Sequence, residues 1–204
     1  MKITLRPKPF AWYLRCVQIA LVAAGAGTLG YCAFVLADTW NFQREANGHF
    51  DPLHLRPAAP PSPGSGAMSS LVGRLEIPRV GLSVVVAEGA DDATLRRAAG
   101  HIPGTALPGR SGNVGIAGHR DTLFRSLRGI EVNDMILLTT LQGEYHYRVV
   151  STKVVDPSDV AVLNPDGGEI LTLVTCYPFY FVGPAPDRFI VRAERVTQKH
   201  GDGI

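Results

Sequence analysis

Three residues in the second half of the chain carry side chains that could together break and re-form an amide bond: Cys176, His119 and Arg188. A cysteine thiolate can attack the carbonyl carbon of a peptide bond, and an imidazolium can donate a proton to the amine that leaves. A guanidinium offers several directed donors and a permanent charge to the oxyanion of a tetrahedral intermediate. These residue types indicate acyl transfer by a nucleophile, a general acid/base and an oxyanion or substrate clamp.

Each of the three residues also has an ordinary structural interpretation. Cys176 is the only thiol beyond the apolar N-terminal stretch, which holds the other two of the three cysteines. It is therefore either a reactive thiol or a small buried apolar residue. His119 alone is typical of a hydrogen-bonded surface histidine, and Arg188 of a solvated charge beside Asp187. The catalytic hypothesis depends on whether the local structure gives the three side chains a common face.

Asn113 to His119 is a predicted strand in which side chains alternate between two faces. Val114 and Ile116 are the bulky apolar members and suit the core. His119 has the opposite parity, and its face is otherwise nearly bare, so it could form a floor over which an extended peptide lies. The other members of that face are Asn113, Gly115 and Ala117.

The same alternation applies to two later strands, predicted at Ile170 to Cys176 and at Arg188 to Val196. Leu171 and Leu173 suit the core, which leaves Cys176 on the other face. In the last strand Phe189, Val191 and Ala193 suit the core, so Arg188 points away from it. Parity thus predicts a common non-core face for all three candidates. The residues predicted to contact substrate beside them are Thr175, Ala117 and Val174.

Three segments resemble the sortases, in the order found in that family. They are Gly115-Ile116-Ala117-Gly118-His119-Arg120, Thr172-Leu173-Val174-Thr175-Cys176 and Arg188-Phe189-Ile190-Val191, within a resemblance that covers Leu71 to Val196. The phrases His119-Arg120-Asp121-Thr122 and Thr175-Cys176-Tyr177-Pro178-Phe179 are most similar to the class D group.

The resemblance implies a membrane-anchored cysteine transpeptidase that cleaves a C-terminal sorting signal similar to Leu-Pro-x-Thr. It implies a thioester on Cys176, His119 as general acid/base, Arg188 as oxyanion or substrate clamp, and no metal or other cofactor. The acyl group would pass to an amine of a cell-wall peptide or a pilin lysine. The substrate-recognition loop of the family falls at Asp156 to Glu169, which is short here.

The composition favours a turn-rich β domain of ordinary size. The chain has 204 residues with 22 Gly and 15 Pro, and its net charge of +2 does not suggest nucleic-acid binding. Seven or eight short strands with regularly spaced turns indicate a sandwich or a closed barrel. With the resemblance, the predicted fold is all-β: a closed eight-stranded barrel with short helices, preceded by one N-terminal transmembrane helix.

The apolar run from Cys16 to Ala37 is long enough to cross a bilayer as a helix. Positive charges precede it and Asp38 follows, so the positive-inside rule predicts a cytoplasmic N-terminus and a single pass through the cell membrane. The run is longer than a signal-peptide core, although cleavage after Ala37 is an alternative. Membrane lipid is thus a predicted partner.

The chain is predicted to divide into five parts. These are a cytoplasmic N-terminus (1–10), a membrane anchor (11–37), an extracytoplasmic Pro/Gly-rich linker (38–68), a catalytic domain (69–198) and a tail (199–204). Two alternative functions remain: a cysteine peptidase of the cell envelope that only hydrolyses, and a non-catalytic tethered β-domain.

Overall fold

The N-terminal part of the chain is one long helix, α1, which runs from Pro9 to Gly48. The computed structural model describes residues 9–48, 71–165, 167–180 and 183–196, which form two compact units. Within α1, Trp12–Asp38 is apolar enough and long enough to span a membrane, and its apolar side chains are exposed. A helix that is apolar all round suits lipid as its solvent.

The helix continues beyond the predicted anchor. Residues 38–48, the first part of the predicted linker, are helical up to Gly48. The rest of that linker, 49–68, lies outside the described residues, as do residues 1–8 and the predicted tail. The composition of 38–48 lacks the proline of the later linker, so nothing in it interrupts helical hydrogen bonding.

The second unit is a closed barrel of eight strands, which confirms the predicted fold. Around the barrel the strands follow the order β1-β2-β3-β4-β7-β8-β6-β5, and β5 pairs with β1 to close it. The strands are β1 Leu71–Ile77, β2 Leu82–Glu88, β3 Ala99–His101, β4 Gly112–Ala117, β5 Met135–Thr140, β6 Gly143–Val155, β7 Glu169–Tyr177 and β8 Asp187–Arg195. Short helical segments connect them: α2 Asp92–Leu95 and 3₁₀ turns at Pro78–Val80, Arg125–Gly129 and Val160–Leu163.

Apolar side chains from every side of the barrel meet in its interior. The fully buried members include Leu75, Ile116, Leu138, Leu171, Leu173 and Val191. Burying side chains of this size contributes about 1.5–3 kcal/mol each relative to exposure. The core positions predicted from alternation in β4 and β7 are confirmed, because Val114, Ile116, Leu171 and Leu173 all belong to this cluster.

Phe189 differs from its predicted place in the core. It is half-buried near one end of the barrel, where its ring stacks on Tyr177 at 6.3 Å and meets Phe179 edge-on at 5.4 Å between centroids. Alternation gives the face of a residue but not its depth, and Phe189 is only the third residue of β8. The ring therefore packs at the margin of the core.

Candidate active site

Cys176 and Arg188 lie directly opposite each other on neighbouring strands. The antiparallel pair β7 and β8 aligns Cys176 with Arg188, between the pairs Thr175–Phe189 and Tyr177–Asp187. Residues paired in this way point to the same face of the sheet, with Cβ atoms about 4.5–5.5 Å apart. The register therefore brings the predicted nucleophile and the predicted clamp together, and Cys176 is partly exposed there.

His119 follows the end of β4 on the other side of β7. The parallel pair β4 and β7 aligns Ala117 with Val174. The alignment continues past the end of β4, because the Gly118 N–H donates to the Val174 carbonyl at 3.1 Å. Two residues beyond Ala117 and Val174 are His119 and Cys176, so continuing this register sets the histidine level with the cysteine.

Thr175 fixes the residue that precedes the histidine. Its hydroxyl donates to the Gly118 carbonyl at 2.7 Å, and its side chain is only 2% exposed on the core face of β7. The described contact is thus with the chain itself, and this burial does not favour the predicted contact of Thr175 with substrate. The odd-numbered residues Leu171, Leu173 and Thr175 of β7 face the core, so alternation places Thr175 and Cys176 on opposite faces of the strand.

A buried ring holds the turn after β4 from the other side. The Phe124 N–H donates to the His119 carbonyl at 2.9 Å, and the Phe124 ring is fully buried. Gly118 packs so closely against that ring that an added Cβ would lie 2.7 Å from it. The position requires glycine for reasons of space, and it fixes the backbone at the residue before His119.

Gly118→Ala is therefore expected to destabilise the barrel by about 1–3 kcal/mol, the usual cost of overpacking a core, and to lower turnover by displacing His119. Denaturant unfolding followed by circular dichroism, together with a turnover assay, measures both effects. Gly129→Ala is the matched control, since its Cβ would meet nothing closer than Val80 Cγ1 at 3.9 Å. Wild-type stability and turnover in Gly118→Ala would contradict this account of the turn.

Arg188 is anchored near the start of β8 by main-chain oxygens. Its Nη1 donates to the carbonyls of Asp187 at 3.0 Å and Ala185 at 3.4 Å. The hydroxyl and N–H of Ser158 hold the pKa of Asp156 below its ordinary value, and the positive charge of Arg188 adds to that effect. The guanidinium thus lies at the rim of the site, partly buried, with a carboxylate nearby.

The exposed strip of small residues predicted along β4 is shorter in the structure than the sequence pattern indicated. Gly115 is covered, because a Cβ there would meet Thr105 at 3.0 Å, Leu163 at 3.1 Å and Ile102 at 3.2 Å. These neighbours belong to the β3–β4 connection and to the 3₁₀ turn before β7. Sequence periodicity shows which residues share a face but not which loop folds over them, so this cover could not be predicted.

Asn113 fastens that cover to the sheet. The residue is 2% exposed, its Nδ2 donates to the carbonyls of Val162 at 3.1 Å and Asn164 at 3.4 Å, and its Oδ1 accepts from the Thr172 hydroxyl at 2.8 Å. The open part of the floor is then limited to Ala117 and Val174, both partly exposed. These two predicted substrate contacts lie beside Cys176 and His119.

Arg120 contacts the chain near the candidate site, although the sequence motifs assign it no role. It donates from Nη1 to the Pro178 carbonyl and from Nη2 to the Gly183 carbonyl, each at 2.9 Å. Its partners lie 58 and 63 residues away along the chain, so no local pattern could indicate them. The contact ties the segment after His119 to the β7–β8 connection.

In this closed barrel a histidine follows β4, a cysteine lies near the end of β7 and an arginine lies near the start of β8, on three neighbouring strands or next to them, which is an arrangement suited to cysteine acyl transfer. A family model described as the sortase domain matches residues 75–196. Sortase D of Bacillus subtilis (strain 168) is 33% identical over 200 residues, which cover 90% of this chain and 99% of that protein. The chain belongs to the sortase family.

Solved structures support the same assignment. The structure of a Clostridium perfringens sortase D5 transpeptidase matches with a TM-score of 0.62 and 28% identity over 79% of this chain and 99% of that chain. The sortase C2 of pilus island 1 from Group B Streptococcus matches with a TM-score of 0.59 and 30% identity over 63% of this chain and 75% of that chain. Sortases are cysteine transpeptidases, so the predicted enzyme class is confirmed.

Proposed function

We propose that this sortase cleaves a C-terminal sorting signal of the Leu-Pro-x-Thr kind and transfers the acyl part to an amine, with Cys176 as its nucleophile. The observation that carries the proposal is the register of β7 and β8, which pairs Cys176 with Arg188. The amine would come from a cell-wall peptide or a pilin lysine. Substrate proteins that bear the signal are its proposed partners.

In the first half-reaction the Cys176 thiolate attacks the carbonyl carbon of the scissile peptide bond. The carbonyl oxygen becomes an oxyanion, which the Arg188 guanidinium stabilises with directed, charged donors. The C–N bond then breaks, and the His119 imidazolium donates its proton to the leaving amine. The products are an acyl thioester on Cys176 and the released C-terminal fragment.

In the second half-reaction an incoming amine attacks the thioester carbonyl. Neutral His119 accepts the proton of that amine, the C–S bond breaks, and the thiolate is regenerated beside an imidazolium. The new bond is an amide, so the overall exchange of one amide for another needs neither an oxidant nor a cofactor.

The open floor fits an extended peptide near the nucleophile. Ala117 is small, and Val174 lies beside it in the parallel register of β4 and β7. Beyond Ala117 the cover over Gly115 closes the floor, so a peptide bound there would have to leave the sheet at that point. A small residue under the scissile bond lets the substrate backbone approach Cys176 closely.

The long apolar helix α1 fits the role of a membrane anchor. We place the N-terminus in the cytoplasm and the barrel outside, because Lys2, Arg6, Lys8 and Arg15 all precede or begin the apolar run. A membrane-impermeant maleimide should then label Cys176 on intact cells that express the full chain, and should fail to label the Cys176→Ala variant. Labelling that required permeabilised cells would reverse the proposed orientation.

The decisive experiment incubates the full-length protein in detergent with a library of sorting-signal peptides, with and without an added amine. Mass spectrometry should find an acyl adduct on Cys176, and an amide product when the amine is present. Hydrolysis that no concentration of amine diverts would favour a hydrolytic cysteine peptidase. Cleavage without an adduct on Cys176 would remove the thioester from the mechanism.

A further inference from the structure

The β7–β8 connection links two of the three catalytic candidates. It leaves β7 just after Cys176 and enters β8 just before Arg188. Pro178 lies two residues after the cysteine, and Gly183 lies five residues before the arginine. The conformation of this connection therefore affects where the ends of both strands, and with them both side chains, lie.

One guanidinium holds both limbs of that connection. Arg120 donates from Nη1 to the Pro178 carbonyl and from Nη2 to the Gly183 carbonyl, at 2.9 Å in each case. The Nη1 and Nη2 atoms of a guanidinium form a rigid planar fork, so two short bonds fix the separation and the orientation of their acceptors together. The fork belongs to the residue that directly follows His119, which makes the histidine part of the same frame.

A second arginine contacts the connection elsewhere, which allows a comparison. Arg128 Nη1 donates to the Tyr180 hydroxyl at 2.9 Å, and its guanidinium lies 5.7 Å from the centre of that ring. Tyr180 is 78% exposed between the two limbs that Arg120 holds. Arg128 can restrain that exposed residue, but it does not bridge one limb to the other.

We propose that Arg120 is a positioning residue for transpeptidation, which fixes His119, Cys176 and Arg188 relative to one another by bridging Pro178 and Gly183. The inference rests on the catalytic roles proposed above. Arg120 acts through the three residues, because two of its bonds hold the main chain on both sides of the connection. The bridge thus connects the turn that follows β4, which carries His119, with β7 and β8, which carry Cys176 and Arg188.

A positioning role predicts a specific kinetic pattern. Arg120→Lys keeps the charge but loses the fork, since one ammonium cannot present two parallel donors to separated carbonyls. Misplacing catalytic groups by about 1 Å costs on the order of 10²-fold in rate, so kcat should fall by about 10–100-fold. KM should stay within about threefold, because the fork binds the connection, whereas the floor at Ala117 and Val174 is held by the pairing of β4 with β7.

The experiment compares full-length wild type, Arg120→Lys, Arg120→Gln and two controls, with a sorting-signal peptide and an amine. Arg125→Gln removes an exposed charge five residues further on, and Arg128→Gln removes the Tyr180 contact. Both controls should keep kcat within about threefold of wild type, whereas both Arg120 variants should show the selective loss of kcat.

Several outcomes would overturn the proposal. A near-wild-type kcat in Arg120→Lys, or a raised KM at unchanged kcat, would exclude a positioning role. An equal loss of kcat in Arg128→Gln would show that any contact that restrains the connection has this effect, and that the bridge made by Arg120 is not special. Failure of Arg120→Lys to fold would show a purely structural role. A wild-type protein that forms no adduct on Cys176 would instead refute the proposed function, so the two failures are distinguishable.

Discussion

Cys176→Ala should abolish both the acyl-enzyme adduct and turnover, because Cys176 is the only cysteine of the sequence outside α1 and the strand register pairs it with Arg188. The measurement is mass spectrometry of the full-length protein after incubation with a sorting-signal peptide, together with product formation in the presence of an amine. Alanine fills the same partly exposed position without a nucleophile, so the loss should occur with the barrel intact.

Cys16→Ala and Cys32→Ala are the matched controls for that variant. Both thiols belong to the apolar helix α1, where their side chains are exposed to its surroundings and lie within the candidate membrane span. Neither variant should change the adduct or the rate. Turnover above background in Cys176→Ala would refute the assignment of Cys176 as the nucleophile, whatever the controls showed.

The common face of the catalytic candidates follows directly from sequence alternation. Bulky apolar residues at every second position of β4 and β7 identify the core face, and the structure places those residues in the core cluster. Regular strands alternate strictly, so the opposite face of Cys176 follows without knowledge of the fold. The eight-stranded barrel itself was implied only by the family resemblance, since strand count alone also allowed a sandwich.

Sequence alternation does not contain information on register or on loop packing. The pairing of Cys176 with Arg188 depends on hydrogen bonding between strands, and the cover over Gly115 depends on contacts with Thr105 and Leu163. Strand β3 has only three residues, too few for an alternating pattern to indicate it from the sequence. The sequence motifs assign Arg120 no role because its acceptors are main-chain carbonyls, which any residue type supplies.

The structure also separates three neighbouring residues of β7 that one motif groups together. Val174 and Cys176 are partly exposed, whereas Thr175 between them is buried and donates its hydroxyl to the Gly118 carbonyl. The threonine thus links β7 to the residue that follows β4, next to both Cys176 and His119 in the sequence. One sequence motif can therefore contain both catalytic candidates and residues that only hold the backbone in place. The alternation of side chains along the strand distinguishes the two kinds.

Arg188→Lys should lower turnover by about 10²-fold or more, the scale of losing a single oxyanion donor. Lysine keeps the positive charge but loses the planar set of donors, so the variant separates directed hydrogen bonding from a general field. Steady-state kinetics with peptide and amine measure the loss, and circular dichroism should show an unchanged fold. The rate at which a small alkylating reagent modifies Cys176 should persist, because that reaction develops no oxyanion.

Arg192→Lys is the control for Arg188→Lys. Arg192 lies on the same face of β8, four residues further along, where the register pairs it with Thr172 and not with Cys176. Because Arg192 is not paired with Cys176, replacing its guanidinium by an ammonium should leave turnover nearly unchanged. If Arg188→Lys retained close to full activity, directed donation by Arg188 would be excluded, and its charge would act only on its surroundings, including Asp156. The oxyanion would then have to be held by backbone N–H groups near Cys176, whose position depends on the same β7–β8 connection that Arg120 bridges.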